Sequence, residues 1–140
     1  MTRTLPDHLR GYPEWDRTQR IIAAFYETYN TLEFGYLESV YRRALANELR
    51  LRGMEVTCEA PVEVLYKGDP VGHFRLDLLV DDRVAVEVKA TTVLGPPDKR
   101  QLLDYLRATS IDVGLLLHYG PEPKCHRVVA PRVIYARKTP

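Results

Sequence analysis

The sequence is short of cysteine. Its two thiols, Cys58 and Cys125, stand far apart with no CxxC partner, which argues against a zinc or iron–sulfur site and suits a reducing compartment. No apolar run approaches the ~20 residues that a membrane span needs. The N-terminal stretch MTRTLPDHLRGYPEW is polar and broken by Pro and Gly, without the apolar heart of a signal peptide. Charge of one sign is lacking too. The formal net charge is +1, so any contact with phosphate has to come from local clustering of Lys and Arg. Repeats and low-complexity segments are absent. What is left is the expectation of a soluble, cytoplasmic protein.

The 140 residues suit one domain, and 45% hydrophobic content is ample for a core. Residues 1–15 read as an irregular lead-in, 16–131 as a single domain and 132–140 as a frayed tail. Ile21, Ile22, Phe25, Tyr29 and Leu32 recur at helical spacing from Asp16 onward. Gly35 interrupts, and a second helix is predicted from about Tyr36 to Arg52, with Gly53 just past its end. The period then shifts toward two. EVTCEAPVEVLYKG is extended, with Pro61 marking a break or an edge position. A turn follows from Lys67 to about Pro70. VGHFRLDLLV and VAVEVKA are the next strands, separated by Asp81–Asp82–Arg83. Pro96–Pro97 opens a third helix. VGLLLHYG is a buried strand, and Cys125 to Ala130 a last one. The order is α–α–β–β–β–α–β–β.

The hairpin around residues 81–83 carries the chemistry. A three-residue loop pairs Val80 with Val84, Leu78 with Val86 and Leu76 with Val88, so one face is wholly apolar. The other face then sets Asp77 opposite Glu87 and Arg75 opposite Lys89. A slip of one residue mixes charge into the apolar face and is disfavoured. Two carboxylates about 5 Å apart at an effective dielectric near 20 repel by on the order of 3 kcal/mol. Arg75 and Lys89 offset part of this, and a divalent cation would reverse its sign. Hard oxygen ligands suit Mg²⁺ or Mn²⁺. A solvated hairpin face of alternating charge fits the same parity.

Asp77, then nine residues, then Glu87–Val88–Lys89 resembles the D-x(n)-(D/E)-x-K signature of the PD-(D/E)XK nuclease superfamily. Gly35-Tyr36-Leu37-Glu38-Ser39-Val40-Tyr41 is similar to the G-x-x-E-x-x-Y motif of the GxxExxY family within it. RLDLLVDDRVAVEVKA resembles that family's central hairpin, and Gln101-Leu102-Leu103-Asp104-Tyr105 the Q-x-x-x-Y motif of RecB-type nucleases. The usual proline before the first acidic residue is replaced by Leu76. The resemblance implies an α/β, restriction-endonuclease-like core: a mixed β-sheet flanked by helices in the order αβββαβ, here with an extra N-terminal helix. It implies metal-dependent phosphodiester hydrolysis. Asp77, Glu87 and the Val88 carbonyl would hold Mg²⁺ (or Mn²⁺), and Lys89 would orient the attacking water and stabilise charge on the phosphate.

Glu38 would be a further acidic residue of the metal site, or simply a carboxylate favoured at a helix N-terminus. Gln101 and Tyr105, one helical turn apart, would orient the site or touch the substrate, or else form an ordinary helix edge. Tyr41 reads as core with a satisfied hydroxyl. Arg75 would balance the carboxylates or contact phosphate. Arg42, Lys99 and Arg100, with neighbouring arginines, form a candidate basic rim for a phosphate backbone, against the commoner outcome of solvated helix faces. His73, His118 and His126 show no metal-ligand spacing and read as structural or incidental. The expected partner is nucleic acid, DNA ahead of RNA, with little sequence specificity. A non-catalytic interaction module on the same scaffold is the alternative. The small footprint leaves a homodimer open.

Overall fold

The computed structural model describes residues 12–138. Residues 1–11, the greater part of the expected lead-in, lie outside them. The elements are α1 (Trp15–Leu32), α2 (Glu38–Leu51), β1 (Val56–Tyr66), β2 (Asp69–Val80), β3 (Val84–Lys89), α3 (Pro96–Ala108), β4 (Val113–Tyr119), β5 (Pro123–Val129) and α4 (Pro131–Lys138). The five strands form one sheet in the order β1-β2-β3-β4-β5. All neighbours are antiparallel except β3 and β4, which are parallel and joined through α3, as a parallel crossover requires.

Helices cover both faces. Ile21, Phe25, Tyr41, Leu45 and Leu49 of α1 and α2 pack on Leu78, Val86, Val88, Leu115 and Leu117. On the other face Leu102 and Leu106 of α3 pack on Ala60, Leu76, Ala85 and Leu116. Sandwiched between helices, β4 is buried along its whole length, which explains its continuous apolar run. No helix among the described residues is long and apolar enough to cross a membrane.

Several boundaries differ from the sequence reading. Helix α1 begins at Trp15, and α2 at Glu38 instead of Tyr36. Gly35 has φ 131°, a conformation open to glycine and strained for other residues, and the chain from there to Leu37 forms a loop. Strand β1 runs unbroken through Pro61 because β1 lies at the edge of the sheet, where a missing N–H is tolerated. Lys67 and Gly68 alone make the β1–β2 turn, both at positive φ, so β2 starts at Asp69. Residues 131–138 form α4, with proline at its first position, although the sequence reads 132–140 as a frayed tail. Gly53 at φ 82° follows the end of α2 as expected.

Candidate active site

The β2–β3 hairpin follows the expected register only near its turn. Asp81 and Asp82 both take left-handed φ, 53° and 54°, which Asp tolerates better than most side chains. Val80 pairs with Val84 and Leu78 with Val86, and there the ladder stops. The expected pairs Leu76–Val88 and Arg75–Lys89 do not form. Leu76 lies in the α3-side core while Leu78 and Val88 lie in the α1/α2-side core. Across from this point Glu59 of β1 has φ 51° and sits between the Cys58–Leu78 and Ala60–Leu76 pairs. The face alternation therefore breaks on both strands at Asp77.

Carboxylates take over where the ladder ends. Asp77 Oδ2 accepts the Val88 N–H at 2.8 Å, and Glu87 Oε1 accepts the Asp77 N–H at 3.2 Å. The two acidic residues are cross-linked through each other's strand, and the backbone donors left by the parting strands are satisfied. Glu87 is only 4% exposed. Burial, and then the charge of Asp77, push its carboxyl up to about 8. Arg42 Nη1 lies 3.5 Å from Asp77 Oδ1. Arg42, expected on a substrate rim, is thus an ion-pair partner of the site.

Glu38 opens α2 and faces the same place. Its carboxyl is raised, first by burial and then by Asp77, against the opposing charges of Lys89 and Arg42 and a hydrogen bond from the Ala90 N–H. Tyr41 holds the loop that delivers it. The Tyr41 hydroxyl donates to the Glu33 carbonyl and accepts the Tyr36 N–H, while its ring stacks on Tyr119 at 4.3 Å between centroids. The spacing of Gly35, Glu38 and Tyr41 has a local reason: the glycine turns the chain, the tyrosine ties the turn down, and the glutamate between them starts the helix.

Lys89 ends β3. Its Nζ lies 3.4 Å from Gln101 Oε1 and 3.9 Å from Asp98 Oδ1. Asp98 also caps α3 by accepting the Gly95 N–H at 2.8 Å. Sequence reasoning found Gln101 but missed Asp98, although an Asp just after Pro96–Pro97 is a visible helix-start signal. Tyr105 is not at the site. It is 4% exposed and packs edge-on against Phe74 at 5.9 Å in the α3-side core, because the face of α3 that carries it is the apolar one. Arg75 is exposed and pairs with Glu59 at 3.8 Å, since the ladder that would have set it opposite Lys89 has ended. Lys99 and Arg100 lie on the exposed side of α3; Arg100 lines a hollow against β1 and β2, and both residues line another against β5.

The carboxylates of Asp77 and Glu87 meet where the strands part, and that of Glu38 faces them from α2. Among the described residues no three His, Cys, Asp or Glu side chains are gathered closely enough to hold a metal ion; each hairpin carboxylate is turned onto a backbone N–H instead. In kind the donors fit Mg²⁺, which is commonly held by one or two carboxylates, with waters and substrate phosphates filling the rest.

A mixed sheet flanked by helices, with Asp, Glu and Lys at the end of its central hairpin, is the restriction-endonuclease-like scaffold. Residues 15–128 match the PD-(D/E)XK nuclease superfamily, and the chain belongs to it. Among solved structures it is similar to the crystal structure of SSO0001, with a TM-score of 0.54 and 18% identity over 89% of this chain and 72% of that one. That likeness supports the fold. No curated protein matches the chain.

Proposed function

We propose that this protein is a metal-dependent nuclease that hydrolyses phosphodiester bonds with little sequence preference, as a cytoplasmic member of the GxxExxY branch of its superfamily. The observation that carries the reading is Glu87. A carboxylate this buried, set beside Asp77 where two strands part, is costly for a fold to keep without a use for it. Asp77, Glu87 and the Val88 carbonyl would hold Mg²⁺ or Mn²⁺, with Glu38 in support. When bound, the ion supplies charge neutralisation and Lewis acidity at the phosphate.

The chain's own residues do the rest. Lys89, steadied by Gln101 and Asp98, places a compact positive charge beside the attacking water and the phosphate oxygens. Arg42 restrains Asp77. DNA is favoured over RNA as substrate. The test is cleavage of labelled DNA and RNA with Mg²⁺ or Mn²⁺. Wild type should cut, and Lys89→Ala should lose cutting while keeping its circular dichroism spectrum. A protein that neither binds a divalent ion nor cuts refutes the reading.

One observation favours a second reading, a non-catalytic nucleic-acid or protein-binding module. The hairpin carboxylates already serve the backbone. Salt-sensitive binding of nucleic acid, with no cleavage under any divalent ion, would establish it.

A further inference from the structure

A cavity of about 550 Å³ lies between the loop before α3 and the edge of the sheet formed by β4 and β5. Lys99 of α3, His118 of β4, and Lys124 and His126 of β5 all line it. Strand pairing explains their meeting. His118 pairs with Lys124 and Leu116 with His126, so the three polar residues share one face of the sheet, and Lys99 looks onto it from the helix. No carboxylate lines the cavity, and neither lysine has an ion-pair partner among the described residues. Asp98, the nearest acidic residue in sequence, is engaged with Gly95 and Lys89. The charges act on one another: burial first, then Lys99, His118 and Lys124, hold the imidazole of His126 below its usual range.

His118 forms a buried wall of the cavity. It is 3% exposed. Its Nε2 lies 2.6 Å from the Thr91 carbonyl, an acceptor only, so Nε2 carries the hydrogen. The other ring nitrogen, Nδ1, is buried with no partner among the described residues. With the hydrogen on Nε2, Nδ1 is an acceptor shielded from the cavity, so His118 shapes the site and donates nothing to an anion in it. The α3 N-terminus contributes its dipole but few amides, because Pro96 and Pro97 have no N–H. Side chains are therefore the donors.

From this juxtaposition of Lys99, Lys124, His118 and His126 around one carboxylate-free cavity, we infer a binding site for a phosphate monoester, occupied by the terminal phosphate of a nucleic-acid strand. A dianionic monoester answers two lysines and the neutral imidazole of His126 better than a singly charged diester does. The site is beside the reacting end of the hairpin. His118 is the strand neighbour of Lys89, and α3 carries both Lys99 and the Gln101 that steadies Lys89. The strand-end assignment rests on the nuclease reading; the phosphate chemistry does not.

The test uses fluorescence-labelled single strands carrying a 5′-phosphate, a 3′-phosphate or hydroxyls at both ends, bound in EDTA so that nothing is cut. Wild type should bind one of the phosphorylated strands about tenfold more tightly than the hydroxyl strand, the scale of one charge-assisted contact pair. Lys99→Gln/Lys124→Gln, both exposed positions, should erase that preference while keeping the melting temperature measured without phosphate. Inorganic phosphate should compete with the phosphorylated end. Equal binding of all three strands overturns the assignment, including the case in which inorganic phosphate alone raises the melting temperature. End preference without any cleavage in Mg²⁺ or Mn²⁺ would leave this site standing and remove the nuclease reading.

Discussion

Replacing Glu87 by Gln should make the metal-free protein more stable, by an amount that depends on pH in a defined way. The native carboxyl titrates near 8 instead of about 4.5, first because it is buried and second because Asp77 is beside it. Between those two values the native state keeps a proton that the unfolded chain has lost. Stability therefore falls as pH rises through this window, by about 1.4 kcal/mol per pH unit, and levels off above it. Below it both states are protonated and nothing is lost. Gln resembles the protonated side chain: its oxygen can still accept the Asp77 N–H, and its amide can donate to the Asp77 carboxylate. The stability gap between Glu87→Gln and wild type should widen by about 2.5 kcal/mol from about pH 5.5 to 7.5, and by only about 0.15 kcal/mol from about pH 8.5 to 9.5. For a chain of this size that first change is a relative shift in melting temperature of about 10 °C. Urea unfolding at each pH in EDTA measures it. A gap that stays constant from pH 5.5 to 7.5 would refute the burial argument, and with it the observation on which the proposed function rests.

Other consequences follow from neighbouring contacts. Mg²⁺ should raise the melting temperature of wild type more at pH 8 than at pH 6, because Glu87 must lose its proton to act as a ligand, and should do little for Glu87→Gln; thermal shift measurements at both pH values check this. Tyr41→Phe removes the hydroxyl that ties Glu33 to Tyr36, so it should cost about 1 kcal/mol in urea unfolding and weaken divalent-ion binding through Glu38. Thr28→Val strands the buried Tyr119 hydroxyl, which Thr28 Oγ1 meets at 2.7 Å, at a cost of about 1–3 kcal/mol by the same measurement. Gly114→Ala places a Cβ 2.7 Å from Cδ1 of the fully buried Leu102. It should destabilise by about 1–3 kcal/mol and, by lifting α3 off β4, slow any activity that depends on Gln101.

Period and punctuation made most of the fold legible. Proline pairs, Gly53 and the run VGLLLHYG mark local preferences, and local preferences survive folding. The chain's path around Glu59 and Asp77 was not legible, because it depends on a left-handed residue in one strand and on side chains standing in for a ladder in the next. Simple alternation predicts Leu76 beneath Val88; the break sends it to the opposite core. The same break explains why Arg75 lies apart from the carboxylates, while Arg42, expected as a substrate contact, pairs with one of them. Arg42 reaches Asp77 from a helix, independent of strand register, whereas the placement of Arg75 relied on register alone. Tyr105 failed for another reason. A tyrosine one turn from Gln101 shares its side of a helix only approximately, and the burial of an aromatic ring beside Phe74 decided which way that turn faces.

Asp77 and Glu87 thus stand in two relations that conflict. As hydrogen-bond acceptors they close the gap between β2 and β3, and removing either strands a backbone N–H. As two carboxylates in a buried place they oppose each other, which the raised Glu87 carboxyl records. A fold selected for stability alone would resolve the conflict with one amide, because Gln satisfies the same N–H without the charge. Retaining both acids makes sense where something that binds them returns more than the repulsion removes. The amide substitution separates these roles: it keeps the backbone contact, deletes the charge, and leaves stability and metal response to move in opposite directions. Were the acids there only to cap parted strands, the two responses would be unlinked.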